Sequence, residues 1–403
     1  MLNNITHVRG YKCWGSHMGI KSKRRDLALI YSEKPASAAA VFTRNVVCAE
    51  PVKLSREHIK NGKAQAIVVN SGNANACTGD AGWRGAVAMA EKTAELLNIP
   101  VEEVLVASTG LIGEPFPTDK VLKGIEESAK KLSDREMAGS LTANAILTTD
   151  TFAKEGFTEF DINGRTINMA GIAKGSGMIH PDMGTMLGFI TCDLAIDSSL
   201  LDEALREAVD KTFNMITVDG DTSTNDMVAV MCNGMAENEE ITTRDERYER
   251  FYANLEKLCK HLAKLIVSDG EGATKLVEYH VRKAKSEEDA RKIIRTVSDS
   301  SLVKTAIFGT DPNWGRIMGA AGRAGVSFDP EKVDLYIGSD AERSVQILKD
   351  GQPVKESRSD VKQEMQASNI TVILDLNQGT AEGVGWGPDL SYEYIRINAE
   401  YTT

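Results

Sequence analysis

The chain has 403 residues and a formal net charge of −11, with 47 Lys and Arg against 58 Asp and Glu. An acidic chain is a poor ligand for the phosphate backbone of nucleic acids, and no apolar run approaches the roughly 18 residues of a membrane span. Residues 1–25 have no apolar stretch behind a basic start, so we expect no secretory signal and a cytoplasmic location. The composition therefore predicts a globular enzyme, not a nucleic-acid-binding or membrane protein.

Hydrophobic periodicity predicts an α+β fold, because strands and helices occur in blocks rather than in strict alternation. In chain order, the predicted elements are strand Leu27–Tyr31, strand Ala66–Asn70, helix Trp83–Leu97, strand Val104–Ala107, helix Asp119–Lys131, strand Met186–Ile196, helix Ser199–Asn214, strand Met227–Cys232, helix Arg244–Val267, helix Ser286–Thr296, and strands Leu302–Phe308, Val333–Ile337 and Ile370–Leu376.

The sequence lacks the common motifs of nucleotide, metal and hydrolase chemistry. It has no G-x-x-x-x-G-K-[ST] loop, no G-x-G-x-x-G after a strand and no G-x-S-x-G elbow. The six histidines form no H-x-x-x-H pair and the six cysteines form no C-x-x-C pair. We therefore expect no metal site, no bound cofactor, and buried thiols rather than disulfides.

The most informative segment runs from Lys174 to Ile190, with the sequence KGSGMIHPDMGTMLGFI. Its glycine-rich loop ends at Gly184, and Thr185 stands directly before an apolar strand. This arrangement suits a self-cleaving N-terminal nucleophile. The Thr185 hydroxyl attacks the carbonyl of Gly184, the peptide shifts to an ester, and water releases it. Glycine has no Cβ to obstruct the attack.

Cleavage gives Thr185 a free α-amine, whose ordinary pKa of about 8 suits a general base for its own hydroxyl. Nucleophile and base then belong to one residue, and no histidine partner is required. The alternative is that Thr185 is an ordinary β-branched residue at the start of a strand. The Gly-Thr pair alone favours that second interpretation.

Several further blocks of sequence, in a fixed order, favour a catalytic Thr185 over an ordinary strand residue. They are Asn70–Gly79 (NSGNANACTG), Ser108–Gly113 (STGLIG), Thr148–Thr151 (TTDT), Lys174–Ile190, Asp221–Asp226 (DTSTND), Ser268–Thr274 (SDGEGAT), Asp311–Arg316 (DPNWGR) and Tyr394–Thr403 (YIRINAEYTT). Together they make the whole chain resemble the glutamate N-acetyltransferases, also called ornithine acetyltransferases, of arginine biosynthesis.

The resemblance implies that family's fold, a layered α/β/β/α sandwich in which sheets lie between helices. A smaller C-terminal α/β part spans roughly residues 280–403. The resemblance also implies autocleavage into an α chain, residues 1–184, and a β chain, residues 185–403. The two chains stay together, commonly as a heterotetramer of two of each.

The implied reaction moves the acetyl group of N2-acetyl-L-ornithine to L-glutamate in ping-pong fashion, through an ester on Thr185. Thr109 and Gly110 match the family's oxyanion-hole positions; without the resemblance they are an ordinary turn pair after a strand. Members of the family differ in whether they also accept acetyl-CoA as acetyl donor, and the sequence does not separate the two groups.

The resemblance also implies a set of substrate-binding residues. A lysine suits a substrate carboxylate, and a glutamate suits an ammonium group. Without the resemblance the same positions are a surface lysine, a turn carboxylate and a frayed tail, although alternation in Ile395–Ala399 predicts a strand in that tail. The substrate-binding residues are Thr151, Lys174, Thr185, Glu271, Asn398 and Thr403.

The chain departs from the family's usual sequence at two informative positions. Gly184 stands where the family usually has alanine, which permits cleavage but at a rate that could differ. Pro388 stands where the family usually has cysteine, which excludes a catalytic role for that thiol here.

Two other functions are compatible with the sequence. One is a self-processing amidase or aminopeptidase of related fold, in which water rather than an amino acid resolves the acyl-enzyme. The other is an uncleaved, non-catalytic amino-acid-binding protein. Thr151, Lys174, Glu271 and the C-terminal tail favour the acetyltransferase.

Overall fold

The computed structural model of the chain describes residues 4–180 and 186–400. The described strands are β1 (Tyr11–Ser16), β2 (Leu27–Phe42), β3 (Lys63–Asn73), β4 (Val104–Leu111), β5 (Lys154–Ile162), β6 (Arg165–Lys174), β7 (Leu187–Cys192), β8 (Met227–Cys232), β9 (Leu276–Ala284), β10 (Asp334–Gly338), β11 (Val345–Lys349), β12 (Gln352–Pro353), β13 (Asn369–Asp375) and β14 (Ala381–Pro388). The described α-helices are α1 (Glu50–His58), α2 (Gly79–Leu97), α3 (Thr118–Ala129), α4 (Glu136–Ala145), α5 (Ser198–Lys211), α6 (Glu246–Ser268), α7 (Glu287–Ser298), α8 (Ser301–Phe308), α9 (Trp314–Gly322), α10 (Arg358–Glu364) and α11 (Tyr392–Glu400).

The larger sheet has the strand order β4-β3-β2-β8-β7-β6-β5, and β1 pairs with β2. The pairs β3–β4 and β7–β8 are parallel, and the other pairs are antiparallel. Leu187, at the start of β7, lies opposite both Lys174 at the end of β6 and Met227 at the start of β8. The register therefore brings the end of β6 beside the first residue of β7.

Both faces of this sheet are buried. Ala28 and Ile30 of β2 pack in a core with residues of α4, whereas Leu27 and Leu29 pack with residues of α2 and α3. Such alternation follows from the two-residue period of a strand. Farther along the sheet, α5 and α6 cover the β5–β8 region in a core that continues into the second sheet. Within α6, the buried residues recur with helical spacing from Tyr248 to Val267.

The second sheet has the order β12-β11-β10-β13-β9-β14. Strands β9 and β13 run parallel, and the remaining pairs are antiparallel. Trp386 of β14 is buried, and its indole Nε1 donates a hydrogen bond to Glu278 of β9 at 2.7 Å. A bridge between Ile216 and Trp386 joins this sheet to the segment after α5.

The predicted α+β class is confirmed, as are the positions of most predicted elements. The predicted strand Leu302–Phe308 is wrong, because these residues form α8. Val303, Ala306 and Ile307 are buried at helical spacing while Leu302 is 61% exposed, and the Ser300 side chain accepts a hydrogen bond from the backbone N–H of Val303. A seven-residue apolar run does not distinguish a strand from a short helix.

The strand predicted in the tail is also wrong, because Ile395–Ala399 lies within α11. Ile395 is 65% exposed, whereas Tyr394 and Ile397, three residues apart, are half-buried. Burial thus follows a helical period rather than strand alternation. None of the described helices is long and apolar enough to cross a membrane.

Candidate active site

A cavity of about 240 Å³ opens where β4 and β6 end. We call this cavity the central pocket. Its walls include five residues predicted from the sequence, drawn from β4, β6, the turn after α6, and α11. These residues are Thr109, Gly110, Lys174, Glu271 and Asn398. The fold therefore brings most of the predicted site residues to one place, although they are up to 289 positions apart (398 − 109) in the sequence.

Thr109 and Gly110 lie within β4, just before its last residue, where the register with β3 is irregular. This irregular strand end, which we call the Thr109–Gly110 turn, requires glycine at its second position. Gly110 has φ of +131°, which disfavours residues with a side chain. A Cβ at this position would also lie 2.4 Å from the backbone carbonyl carbon of Gly72. The register between β3 and β4 shifts at this point, between Gly72 and Asn73. The two backbones thus approach closely beside the pocket.

Asparagine side chains hold this turn from behind. The amide oxygen of Asn70 accepts a hydrogen bond from the Ser108 hydroxyl at 2.5 Å. The amide nitrogen of Asn225 donates to the backbone carbonyls of Ala74, at 2.6 Å, and Ser108, at 2.8 Å. All three side chains are buried. No role was assigned from the sequence to Asn70 or Asn225, and in the structure both contact Ser108, next to Thr109.

Lys174 is the cation of the central pocket. It is only 3% exposed, and its Nζ lies 3.4 Å from the Thr109 hydroxyl. Burial lowers the pKa of the Lys174 ammonium, and the nearby Asp150 carboxylate opposes that decrease. A substrate carboxylate would also stabilise the charged form, so this end of the pocket is suited to an anionic group.

The central pocket also carries acidic groups. Glu271, Asp219 and Asp221 all line the pocket. The Asn398 amide donates to Glu271 Oε2 at 2.8 Å, and the Tyr394 hydroxyl lies 3.4 Å from Asp219 Oδ2. Burial raises the pKa of Asp219. The pocket therefore presents a cation and carboxylates to one ligand, which suits an amino acid with charges of both signs.

Asp226 anchors the start of β7. The backbone N–H of Met186 donates to Asp226 Oδ1 at 2.8 Å, and the backbone carbonyl of Met186 accepts from Met227 at 3.1 Å. Asp226 is fully buried, and burial raises its pKa well above the usual value. The predicted cleavage site, Gly184 and Thr185, lies outside the described residues, as does Thr403.

Thr151 does not line the central pocket in the described structure. Its backbone N–H donates to Asp269 Oδ2 at 3.0 Å, and its hydroxyl donates to the same carboxylate. Asp269 in turn pairs with Lys154 Nζ at 2.6 Å, and Lys154 pairs with Asp150 at 2.6 Å. We call Asp150, Lys154 and Asp269 the buried triad. Thr151 thus contacts the support of the pocket, and its substrate-binding role stays a prediction.

The buried triad holds the backbone that follows Lys174. Asp150 Oδ1 accepts a hydrogen bond from the N–H of Gly175 at 2.7 Å. The Ser176 hydroxyl donates to the backbone carbonyl of Asp269 at 2.6 Å, and the Ser176 carbonyl accepts from the N–H of Glu271 at 2.9 Å. The triad and Ser176 therefore connect the backbone after Lys174 with the backbone of Glu271, and the sequence did not predict this network.

Within residues 4–180 and 186–400, no three His, Cys, Asp or Glu side chains cluster to hold a metal ion. All six cysteines are free thiols. Four of them are buried, Cys48 is half-buried and Cys77 is exposed.

Gly110→Ala is expected to lower kcat about 100-fold, the usual scale for the loss of an oxyanion donor. The methyl group would collide with the backbone at Gly72 and would be strained at a φ of +131°. Gly113→Ala is the matched control, because Gly113 also has positive φ, +82°, but no atom of the residues that the structure describes lies within 4 Å of an added Cβ. We expect that control to keep kcat within about twofold. Equal losses in both variants, measured at saturating substrate, would contradict a specific role for the turn.

The chain is similar in sequence to a known protein family. The model of the ArgJ family matches residues 12–403. The arginine biosynthesis bifunctional protein ArgJ of Caldanaerobacter subterraneus subsp. tengcongensis is 50% identical over 395 residues, which cover 98% of this chain and 97% of that protein. The protein of the same name from Listeria monocytogenes is 48% identical, with 99% and 98% covered.

A solved structure is also similar. The crystal structure of the arginine biosynthesis bifunctional protein from Bacillus halodurans matches with a TM-score of 0.51 and 44% identity. The match covers 54% of this chain and 100% of the crystallised one.

Proposed function

Because the chain belongs to the ArgJ family, we propose that it is an N-acyltransferase of arginine biosynthesis that transfers acetyl from N2-acetyl-L-ornithine to L-glutamate. The products are L-ornithine and N-acetyl-L-glutamate. The observation that carries the proposal is the central pocket, whose lining includes Thr109, Gly110, Lys174, Glu271 and Asn398. The family-matched residues thus converge although the sequence separates them widely.

We propose that the chain first cuts itself between Gly184 and Thr185. The Thr185 hydroxyl attacks the Gly184 carbonyl, the C–N bond breaks as the ester forms, and water hydrolyses the ester to release residue 184 as a carboxylate. The anchoring of Met186 by Asp226 supports a fixed position next to the cut. A β chain from Thr185 has 403 − 184 = 219 residues, which is 54% of the chain and equals the share matched by the whole crystallised Bacillus chain.

The acetyl transfer then takes two steps at Thr185. Its α-amine accepts the hydroxyl proton as the oxygen attacks the acetyl carbonyl, and the Thr109–Gly110 turn stabilises the tetrahedral oxyanion. The C–N bond breaks, ornithine leaves with the proton, and the acetyl group stays as an ester on Thr185. The amine of glutamate attacks that ester, and Thr185 recovers its proton.

The charges of the pocket suit the charged groups of the substrates. Lys174 supplies a cation for the α-carboxylate that acetylornithine and glutamate share, and Glu271 with Asp219 supplies negative charge for the side-chain ammonium group of acetylornithine. The α-amine of glutamate attacks the acetyl ester and is therefore unprotonated in that step, so the acidic residues do not bind it as an ammonium group. The two substrates thus occupy one site in turn, as a ping-pong mechanism through Thr185 requires.

The remaining features of the proposal concern assembly and donors. We propose a cytoplasmic heterotetramer of two α chains, 1–184, and two β chains, 185–403, the latter including the smaller part from roughly residue 280. No bound cofactor takes part. Since the relatives are named bifunctional, we propose acetyl-CoA as a second acetyl donor.

An assay of acetylornithine with and without glutamate tests the reaction. We expect ornithine release to depend on glutamate and to equal the N-acetylglutamate formed. Ornithine release at the same rate in water alone would instead identify an amidase. If neither product forms with a cleaved chain, the proposed function is wrong.

A further inference from the structure

A second and larger cavity adjoins the central pocket. Its volume is about 790 Å³, and it shares Thr148 and Thr149 with the wall of the central pocket. Gly72 and Leu111, which flank the Thr109–Gly110 turn, also line it. A ligand in this cavity could therefore extend toward the Thr109–Gly110 turn. We call it the basic cavity.

The basic cavity differs from the central pocket in charge. It is lined by Lys21, Lys23, Arg24 and Arg396, against Glu393 and Glu400. The pairs of Arg396 with those two glutamates, at 3.5 and 4.0 Å, are exposed and therefore weak. In the described part of the chain, the central pocket has one lysine and three acidic residues. A surplus of cations in a chain of net charge −11 indicates a site for an anion.

The basic segment, residues 20–24, is held in place before any ligand binds. The buried carboxylate of Asp26 accepts hydrogen bonds from the backbone N–H groups of Met18, Ile20 and Lys21 at 2.6, 2.8 and 3.0 Å. The Arg24 guanidinium donates to the backbone carbonyl of Asp150 at 3.1 Å. Such preorganisation reduces the entropy cost of binding.

Gly72 lets this segment approach the catalytic turn. A Cβ at Gly72 would lie 2.7 Å from the Ile20 side chain and 2.9 Å from Cγ of Lys21. Burial lowers the pKa of Lys21 to about 8; Asp26 opposes that decrease, and the cations Arg24 and Lys174 add to it. A bound anion would relieve this repulsion between cations.

We propose that the basic cavity binds the phosphate groups of coenzyme A, so that acetyl-CoA reaches the Thr109–Gly110 turn from this side. The inference rests on the proposed function. Acetylornithine and glutamate have no phosphate and need only a small pocket, whereas coenzyme A carries a diphosphate and a 3′-phosphate on a long arm. Lysine and arginine are the residues that bind such groups.

Acetyl transfer from acetyl-CoA to Thr185 needs no further reactant. The Thr185 hydroxyl attacks the thioester carbonyl, and its proton passes to the α-amine. The C–S bond breaks, and coenzyme A leaves as a thiol after taking that proton. The acetyl group is then the same Thr185 ester that acetylornithine forms, and glutamate accepts it in the same way.

Charge reversal at two exposed positions tests the site. We expect Lys23→Glu to raise the KM for acetyl-CoA about tenfold, and Lys23→Glu with Arg396→Glu about 100-fold, as two lost charge-assisted contacts predict. The KM and kcat for acetylornithine should stay within about twofold. Lys349→Glu makes the same charge change on β11 of the second sheet. It should change neither the KM for acetyl-CoA nor the KM for acetylornithine.

Calorimetric titration with coenzyme A, 3′-dephospho-coenzyme A and inorganic phosphate identifies the ligand. We expect coenzyme A to bind the cleaved enzyme, dephospho-coenzyme A to bind more weakly, and both to lose affinity in the double variant. The inference is overturned if the variants lose kcat/KM equally with acetyl-CoA and with acetylornithine. It is also overturned if coenzyme A does not bind to an enzyme that is active with acetylornithine. Either result leaves the proposed function intact. Tight binding of phosphate alone, with unchanged KM for acetyl-CoA in the variants, also overturns the inference.

Discussion

Thr185→Ala is expected to leave one uncut chain of 43.8 kDa and to lower acetyl transfer by at least about 10⁴-fold. The variant lacks the hydroxyl that both reactions need. Without cleavage it also lacks the α-amine that we assign as general base. Intact mass measured under denaturing conditions checks the first result, and the acetylornithine–glutamate assay checks the second.

The unmodified protein gives the reference for this experiment. At roughly 110 Da per residue, fragments of 184 and 219 residues have masses of about 20 and 24 kDa. Thr185→Ser keeps a hydroxyl, so we expect the same two fragments, formed at a different rate, and measurable transfer. An alanine variant that is cut between residues 184 and 185, or that retains full transfer, would remove Thr185 from the mechanism.

Gly184 is expected to affect the rate of cleavage but not the position of the cut. Glycine leaves the carbonyl unobstructed but also loses more conformational entropy when the strained geometry forms. Gly184→Ala restores the residue usual in the family. It changes the access to the carbonyl and the entropy cost of the strained geometry, but not the chemistry of cleavage. We expect the same two fragments to form at a changed rate of cleavage. Intact mass measured at intervals after synthesis gives that rate.

The sequence predicted the central pocket better than it predicted the support around it. Thr109, Lys174 and Glu271 lie in short blocks that resemble the acetyltransferase family, and that resemblance assigned their roles; residue type alone favoured ordinary structural positions. Asp219 and Tyr394 also line the pocket, and no role was assigned to either from the sequence, although Tyr394 begins the last of the family-like blocks. They come together only through the pairing of strands and the docking of α11, which are long-range properties.

The errors have a similar physical origin. Leu302–Phe308 and Ile395–Ala399 are short, and over so few residues a two-residue and a 3.6-residue period fit almost equally well. Tertiary burial then decides the outcome: Ile307 enters the core, while Ile395 faces outward. Lys154 was missed for the opposite reason, because a lone lysine in a strand is usually an exposed residue.

Lys154→Met is expected to cost about 3–5 kcal/mol of unfolding free energy, the usual scale for breaking a buried ion pair by removing one partner. The Lys154 side chain has no exposed surface, and both of its carboxylate partners lie at 2.6 Å. Methionine fills similar space but leaves the buried Asp269 carboxylate without its lysine and leaves Asp150 with Lys174 as the nearby cation. Denaturant unfolding measures the change, with the uncleaved Thr185→Ala chain as background so that subunit separation does not contribute.

Lys292→Met is the matched control for that change. It removes the same charge from an i, i+4 pair with Glu288 in α7, where both side chains are exposed. Such pairs contribute little because water and salt screen them. We therefore expect no measurable loss of stability, and a loss equal to that of Lys154→Met would show that the effect is not specific to the buried triad.

The buried triad should also give stability a dependence on acidic pH. Burial raises the pKa of Asp150, but Lys174 and Lys154 outweigh it and hold the pKa at about 2, below the ordinary value near 3.8. The stabilisation from Asp150 is therefore complete above about pH 4 and is lost as pH falls toward 2. Lys154→Met removes one of the two cations, so its stability deficit should shrink across this interval. A deficit that stays constant from pH 5 to 2.5 would mean that lost packing, not lost charge pairing, explains the variant.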